Sequence, residues 1–276
     1  MPKAKKSRST KTRSDASKTD KSAPQSSSRP NNHDEAANSP DNRNGQISKS
    51  TAGDSYLLLV HLISTSDPTI SRLLSVPSRY TFEKLHGVLQ IAFGWASCHA
   101  YSFSVSKLSE PGEPPSFMSK YSRELLNLVL DDEMKDCFPE PEKIKKVSDY
   151  TLADIYDGEQ YRGKVEVSYE YDHGDSWEHQ IVFLGHADPT LRRAMGIPDE
   201  MEVVCLGGEG HPCAEDCGST PGWEDLKDLF KSKTKRDPDG RRQWYKTFCA
   251  NGNPKGLDPW KWSILEVNDA LADIKG

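Results

Sequence analysis

The first fifty residues contain no Phe, Trp or Tyr, and Met1 and Ile47 are their only large apolar side chains. A segment of this composition buries too little surface to offset the conformational entropy lost on ordering. We therefore predict a disordered arm and linker at residues 1–53. All 6 Trp, 10 Tyr and 8 Phe lie beyond residue 50, which is enough for a sizeable core in a single domain at 54–276.

Other absences exclude further classes of protein. No apolar run approaches the roughly 18 residues of a membrane span, so we expect no membrane partner. The N-terminus also lacks the apolar region of a secretory signal. Six Cys without such a signal favour free thiols in a reducing compartment. We therefore expect an intracellular protein, in the nucleus or the cytoplasm.

The net charge of −6 conceals two opposite segments. Residues 1–50 hold 11 basic and 5 acidic side chains, whereas the remainder holds 25 and 37. The acidic domain has the wrong sign for a general nucleic-acid binder, so any nucleic-acid contact belongs to the arm. The basic cluster at 3–13 is typical of a nuclear-import signal or a polyanion-binding tail. A solvated extension without function is the alternative.

Hydrophobic periodicity predicts strands and helices that mix without regular βαβ alternation. The predicted strands lie at 56–63, 99–105, 164–184 (a hairpin with its turn at 172–175) and 202–206. The predicted helices lie at 81–93, at 121–134, after Thr151, from Pro221, at 241–249 and from Ser263. Residues 109–120 are predicted to be a Pro/Gly loop, and 207–222 a long Gly-rich loop. This order favours an α+β fold, in which helices pack on one side of an antiparallel sheet.

Four segments together resemble the plasmid pRiA4b ORF-3-like family, whose members are often labelled as transposon-associated resolvases. They read LHGVLQIAFGW at 85–95, YEYDHGDSWEH at 169–179, GHPCAEDCGSTPGW at 210–223 and LDPWKWSILEVNDAL at 257–271. The resemblance implies a compact α+β domain with a strongly curved antiparallel sheet. It implies no known activity, so function has to be argued from the site.

Two polar clusters are candidates for metal binding or acid–base chemistry. The carboxylates and the imidazole are Asp172, Asp175 and His179 in the hairpin, and Glu215 and Asp216 in the Gly-rich loop. These are the group types that such chemistry needs. The alternatives are turn carboxylates that bond their own backbone, a core histidine, and loop residues that cap backbone N–H groups.

A third set contains thiols. Cys205, His211, Cys213 and Cys217 are candidate zinc ligands, and the alternative is a group of partly buried free thiols. Candidate residues for binding another ligand are His86, Gln90, His99, Trp177 and Trp223, with a core role as the alternative for His86. No cofactor is predicted beyond a divalent metal.

Three functions remain open on the sequence alone. The acidic domain and the missing catalytic signatures favour a non-enzymatic module that binds a protein partner, with the arm used for targeting. The first alternative is a metal-assisted hydrolase or nuclease that uses the hairpin and loop carboxylates. The second is a DNA-associated protein related to resolvases, which would bind through the arm.

Overall fold

The computed structural model describes residues 54–110, 112, 121–131, 135–137, 139–232 and 234–274. The predicted arm and most of the predicted Pro/Gly loop lie outside these residues. The strands are β1 Ser55–Leu62, β2 Ser71–Pro77, β3 Tyr101–Lys107, β4 Glu124–Val129, β5 Ile144–Lys146, β6 Val165–Tyr171, β7 Trp177–His186 and β8 Val204–Glu209. The helices are α1 Phe82–Phe93, α2 Leu152–Tyr156, α3 Pro189–Ala194, α4 Ser219–Lys231, α5 Arg241–Thr247 and α6 Ile264–Leu271.

The eight strands form one sheet in the order β5-β4-β3-β6-β7-β1-β2-β8. Neighbouring strands are antiparallel except β4 and β5, which are parallel. The predicted α+β class is confirmed. None of the helices among the described residues is long and apolar enough to cross a membrane.

The core lies between α1 and one face of the sheet. Alternate side chains of β1, β3, β6 and β7 are buried. The period-2 patterns predict this for β3, β6 and β7, whereas the sequence of β1 is a continuous apolar run. The ring of Phe82 at the start of α1 lies 5.1 Å from that of Phe103 in β3. At the other end of the helix, Phe93 lies 4.7 Å from His179 in β7. Helix α1 therefore crosses the middle of the sheet.

Both predicted ends of α1 are confirmed. The Thr81 side chain accepts a hydrogen bond from the Lys84 N–H, which satisfies a free donor of the first turn. Gly94 adopts φ 64°, a left-handed conformation that ends the helix at little cost without a Cβ. The chain then turns back toward the sheet through the connection at 94–100, which carries His99.

The predicted helix at 121–134 is wrong. Only 121–123 are helical among the described residues, and β4 follows at Glu124–Val129. Leu126 and Leu128 are buried while Asn127 between them is half-buried, so the segment has the alternation of a strand that pairs with β3. The predicted strand at 202–206 is displaced to Val204–Glu209, because Gly207 and Gly208 pair with β2.

Strand β2 was not predicted, because the buried residue in its first half is an arginine. The Arg72 side chain is 1% exposed, and its Nε donates to the Ala92 carbonyl at 2.9 Å. Its terminal nitrogens donate to the carbonyls of Ser71, Glu209 and Gly210 at 2.6–3.0 Å. The guanidinium therefore joins the end of α1 to β2 and β8 and satisfies carbonyl oxygens inside the fold.

Candidate metal centre

Three connections meet around His99: residues 94–100 between α1 and β3, the hairpin turn at 172–176, and the acidic loop at 210–218. The Nδ1 atom of His99 lies 3.8 Å from Asp172 Oδ1. Its Nε2 atom lies 3.0 Å from Asp216 Oδ1 and 4.0 Å from Glu215 Oε1. The hairpin and the acidic loop are thus close in space, with the imidazole between them.

Glu215 is a buried carboxylate whose hydrogen-bond donors come from the end of β6 and from the 94–100 connection. Its Oε1 atom accepts a 2.5 Å hydrogen bond from the Tyr171 hydroxyl, and Oε2 accepts the Ala96 N–H at 2.8 Å. The Cys98 thiol donates to Oε1 at 3.7 Å. A carboxylate that is 1% exposed needs such donors, since an unpaired buried charge is costly. Glu215 therefore fixes the position of the 94–100 connection.

The groups that donate to Glu215 stay protonated at neutral pH. Burial raises the pKa of Tyr171, and the hydrogen bond to Glu215 raises it further. Desolvation raises the pKa of the Cys98 thiol, with a further contribution from the Glu215 charge.

The three connections contain residues in an unusual backbone conformation. Ser97, Asp172 and Asp216 all have positive φ, between 55° and 62°. This left-handed region is uncommon for residues other than glycine, and such conformations cluster at ligand-binding and catalytic sites. One of these residues lies in each connection, so each segment carries local strain next to the same imidazole.

Two side chains hold the acidic loop in place. The Asn251 amide donates to the Cys213 carbonyl at 2.8 Å, and its oxygen accepts the Glu215 N–H at 3.1 Å. The Oδ2 atom of Asp175 accepts the Gly218 N–H at 3.0 Å, which ties the hairpin turn to the loop. Asp175 therefore binds backbone of the neighbouring loop. The Asn251-Gly252 pair, which the sequence indicates as a helix stop, also positions Glu215.

Among the described residues, two groups of ligand atoms lie within 4.8 Å of one another: Cys98–His99–Glu215 and His99–Asp172–Asp216. The first group is the weaker candidate, because its carboxylate already accepts three hydrogen bonds. In the second group, Asp172 Oδ1 accepts the Gly174 N–H at 3.0 Å, which leaves further lone pairs on that carboxylate. Imidazole and carboxylates together suit divalent transition metals.

The Nε2 atom of His99 faces Asp216 of this second group, whereas the Nδ1 atom is the one nearer Asp172. The Nε2 atom is shielded from solvent and makes no hydrogen bond within the part of the chain that the structure describes, although Asp216 Oδ1 is only 3.0 Å away. Most buried polar atoms in folded proteins have a partner, and a bound cation can serve as the partner of an imidazole nitrogen.

His86 and Gln90, two candidate ligand-binding residues, belong to a hydrogen-bonded network beneath the 94–100 connection. Both side chains bond the Tyr169 hydroxyl at 2.8 Å, and the Gln90 oxygen accepts the Ser97 N–H at 2.8 Å. The His86 ring stacks on Tyr101 with ring centroids 3.5 Å apart. Burial lowers the pKa of His86 to about 4, so the imidazole is neutral at physiological pH.

The structure places the other candidate imidazole and indoles in the core. His179 is fully buried and packs against Phe93, and burial lowers its pKa to about 4. Trp177 stacks on Trp95 with centroids 5.6 Å apart, and Trp223 is fully buried. None of these three side chains belongs to either group of ligand atoms around His99.

The four candidate zinc ligands do not form a group of ligand atoms within 4.8 Å of one another in the described part of the chain. Cys205 donates to the Gly207 carbonyl, and His211 Nε2 lies 3.3 Å from the Tyr245 hydroxyl. Cys213 and Cys217 are buried, and burial raises the pKa of Cys217 to about 12. Their surroundings therefore favour thiols over thiolates.

The chain matches the family described as Plasmid pRiA4b ORF-3-like protein over residues 54–258. It belongs to that family. A relative described as uncharacterized protein y4hQ, from Sinorhizobium fredii (strain NBRC 101917 / NGR234), is 26% identical over 160 residues. The match covers 58% of this chain and spans 65% of the relative's length.

A solved structure shares the fold. It is the crystal structure of a protein of unknown function, MM3350, from Methanosarcina mazei Go1, with a TM-score of 0.55 and 19% sequence identity. The similarity covers 77% of this chain and 97% of that protein. Similarity at this level supports the α+β architecture and carries no function to this chain.

Proposed function

We propose that the domain binds a divalent transition-metal cation at His99, Asp172 and Asp216 and that this site supports hydrolysis. The observation that carries the proposal is the buried Nε2 atom of His99, which lies among carboxylates without a hydrogen bond to any described residue. A cation would give this nitrogen a partner. It would also offset the negative charges that the hairpin and the acidic loop bring together.

The number of ligands favours chemistry over a purely structural role. Structural zinc sites are closed by four protein ligands, whereas catalytic sites have three and leave a position for water. Three ligands are grouped here, and the Asp216 side chain is 61% exposed, so water has access. A cation in such a site lowers the pKa of a bound water toward neutrality and so supplies a nucleophile.

Glu215 acts in this proposal as a positioning residue. Its carboxylate lies 4.0 Å from His99 Nε2 and holds the 94–100 connection through Ala96 and Cys98. Hydrogen bonds around a metal ligand orient it, and they affect metal affinity even though they do not touch the cation. The proposal thus gives the hairpin and the acidic loop different tasks, since Asp172 and Asp216 bind the cation while Glu215 orients the histidine.

Cation binding can be measured on the full chain after treatment with a chelator. We expect one equivalent of Mn²⁺ or Zn²⁺ to bind in isothermal titration calorimetry. The substitutions Asp216→Asn and His99→Gln should each weaken binding by more than about tenfold. Asp225→Asn is the matched control, because Asp225 is an exposed carboxylate of α4 outside the cluster. Absence of binding, or equal affinity in Asp216→Asn and Asp225→Asn, contradicts the proposal.

The hydrolytic step needs its own measurement. Chromogenic phosphate and acetate esters of p-nitrophenol report hydrolysis without knowledge of the natural substrate. We expect turnover that requires the cation and is lost in Asp216→Asn but retained in Asp225→Asn. If the cation binds and no ester is cleaved, the hydrolytic step is wrong, and the non-enzymatic interaction module predicted from the sequence is the better interpretation.

A further inference from the structure

A second candidate site lies in the C-terminal part of the domain, outside the cluster around His99. A cavity of about 360 Å³ is lined by His211, Phe230, Lys246, Asn253, Lys255, Gly256, Leu257, Asp258 and Lys261. A volume of this order is in the range that small-molecule sites occupy. Phe230 and Leu257 give its walls some apolar surface, and most of the other lining side chains are polar or charged.

The charge of the lining is opposite to that of the domain. Residues 51–276 carry 25 basic and 37 acidic side chains, but three lysines and one aspartate line this cavity. In the part of the chain that the structure describes, none of Lys246, Lys255 and Lys261 forms an ion pair with a carboxylate. Asp258 is the one carboxylate among the lining residues, so the three ammonium groups leave an excess of positive charge that attracts an anion.

The His211 side chain lines the cavity and carries no charge. Its Nδ1 atom lies 2.5 Å from the Pro212 carbonyl and Nε2 lies 3.3 Å from the Tyr245 hydroxyl, so both ring nitrogens have partners. Burial lowers the pKa of His211, which keeps the imidazole neutral. The three lysines and Asp258 therefore give the lining a net charge of +2.

An aromatic surface lies beside these charges. The Lys246 ammonium is 5.8 Å from the centre of the Phe230 ring. Gly256 approaches the same ring, and a Cβ atom on it would lie 3.3 Å from Phe230 Cε1. Gly256 has φ 112°, a conformation that side chains rarely adopt, so glycine here keeps the backbone close to the ring.

We infer that this cavity binds a small phosphomonoester that carries a planar ring. Two net positive charges match a phosphomonoester, whose charge at neutral pH is about −1.5 to −2. All three cationic residues are lysines, which bind phosphate as point charges, whereas a single carboxylate is matched better by the arginine fork. The Phe230 ring and Leu257 provide the apolar surface for the ring of the ligand.

The inference does not depend on the proposed metal centre, because the two sites share no residue. Its probes are adenosine 5′-monophosphate, inorganic phosphate and adenosine, titrated into the full chain in the presence of a chelator. We expect the nucleotide to bind more tightly than inorganic phosphate, which lacks the ring. Adenosine, which lacks the charge, should be the weakest of the three.

Substitutions locate the site. Lys246→Gln and Lys261→Gln should each weaken nucleotide binding by roughly tenfold, as expected for the loss of one charge-assisted hydrogen bond. Lys231→Gln is the matched control, because Lys231 is an exposed lysine at the end of α4 that does not line the cavity. Added salt should weaken binding to the wild-type chain.

Three outcomes overturn the inference. Adenosine that binds as tightly as its monophosphate shows that the lysines do not recognise the phosphate. An equal loss in Lys231→Gln and Lys246→Gln shows that only the general surface charge is measured. If none of the three probes binds to the wild-type chain, and circular dichroism shows that this chain is folded, the cavity takes no such ligand.

Discussion

The Nε2 atom of His99 lies 3.0 Å from Oδ1 of Asp216, and the two residues belong to connections that are far apart in the chain. His99 follows α1, whereas Asp216 follows β8. The contact exists because Gly94 ends α1 and returns the chain toward the sheet, while Asn251 and Asp175 hold the acidic loop against the hairpin turn. The site is therefore built by connections that the sheet and α1 bring together.

The buried bond between Tyr171 and Glu215 gives a first prediction, on stability. Tyr171→Phe removes the donor of a 2.5 Å hydrogen bond to a carboxylate that is 1% exposed. We expect the free energy of unfolding to fall by about 1.5–3 kcal/mol, as for hydrogen bonds to charged groups. Urea denaturation measures this loss. The control is Tyr121→Phe, because Tyr121 is 37% exposed. If this variant loses as much unfolding free energy as Tyr171→Phe, the buried hydrogen bond is not the cause of the loss.

Arg72 gives a second prediction. Its guanidinium donates to four backbone carbonyls inside the fold. Arg72→Met leaves those oxygens without this donor, and Arg72→Lys cannot reproduce the geometry of the fork. We expect each variant to lose at least about 3 kcal/mol of unfolding free energy, measured by urea denaturation.

The control for Arg72 is Arg79→Met. Arg79 is a half-exposed residue whose guanidinium pairs with Glu202 on the surface. Surface pairs contribute at most about 1 kcal/mol, so this variant should be close to the wild type. If Arg72→Lys is as stable as the wild type, the network of carbonyl bonds is not the source of the stability.

The two low histidine pKa values predict how stability depends on pH. Burial lowers the pKa of His179 from 6.5 to about 4, and that of His86 falls to about 4 as well. As the pH falls through 6.5, the unfolded chain takes up protons that the folded chain excludes until about pH 4. The part of the unfolding free energy that depends on these two neutral histidines is therefore fully present above pH 6.5 and is lost as the pH falls toward 4.

His179 alone should account for about 2 kcal/mol of this loss at about pH 5, since one pKa unit corresponds to about 1.4 kcal/mol. Urea denaturation at several pH values measures the slope. His179→Leu should reduce the slope, and the remaining slope should include the contribution of His86. An unchanged slope in His179→Leu would refute the assignment.

Local patterns predicted much of the fold correctly. The apolar run of β1, the alternation in β3, β6 and β7 and the capping signals of α1 depend on neighbouring residues, so a sequence displays them directly. Strand β2 was not predicted, because an arginine in a sequence indicates a surface position and the carbonyls that it binds are not visible there. The segment at 121–134 misled because its leucines fit a helix as well as a strand.

The candidate site was predicted only in part. Asp172, Glu215 and Asp216 stand out because carboxylates in a turn and in a Gly-rich loop are typical of metal sites. Their common neighbour His99 could be named only as a general ligand-binding residue, since nothing local indicates that two distant loops meet at it. The supporting residue Asn251 was missed, because an asparagine before a glycine indicates a helix end and carries no signal of a contact with Glu215.

Asn251 gives the last prediction, which separates support of the site from stability alone. Its side chain bonds the Cys213 carbonyl and the Glu215 N–H. Asn268 makes the same pair of bonds to the backbone of Cys205, at 2.8 and 2.9 Å, where α6 meets β8. Replacing either residue by alanine removes two partly buried hydrogen bonds, so both variants should lose about 1–3 kcal/mol of unfolding free energy.

Of these two variants only Asn251→Ala should affect the proposed metal centre, because Asn251 bonds the loop that contains Glu215 and Asp216 and Asn268 does not. We expect Mn²⁺ affinity to fall by about tenfold in Asn251→Ala, within the range observed for residues that orient metal ligands. Calorimetric titration of both variants, at a temperature where each is folded, measures the difference. Equal losses of Mn²⁺ affinity would mean that general destabilisation, and not the position of the acidic loop, controls the site.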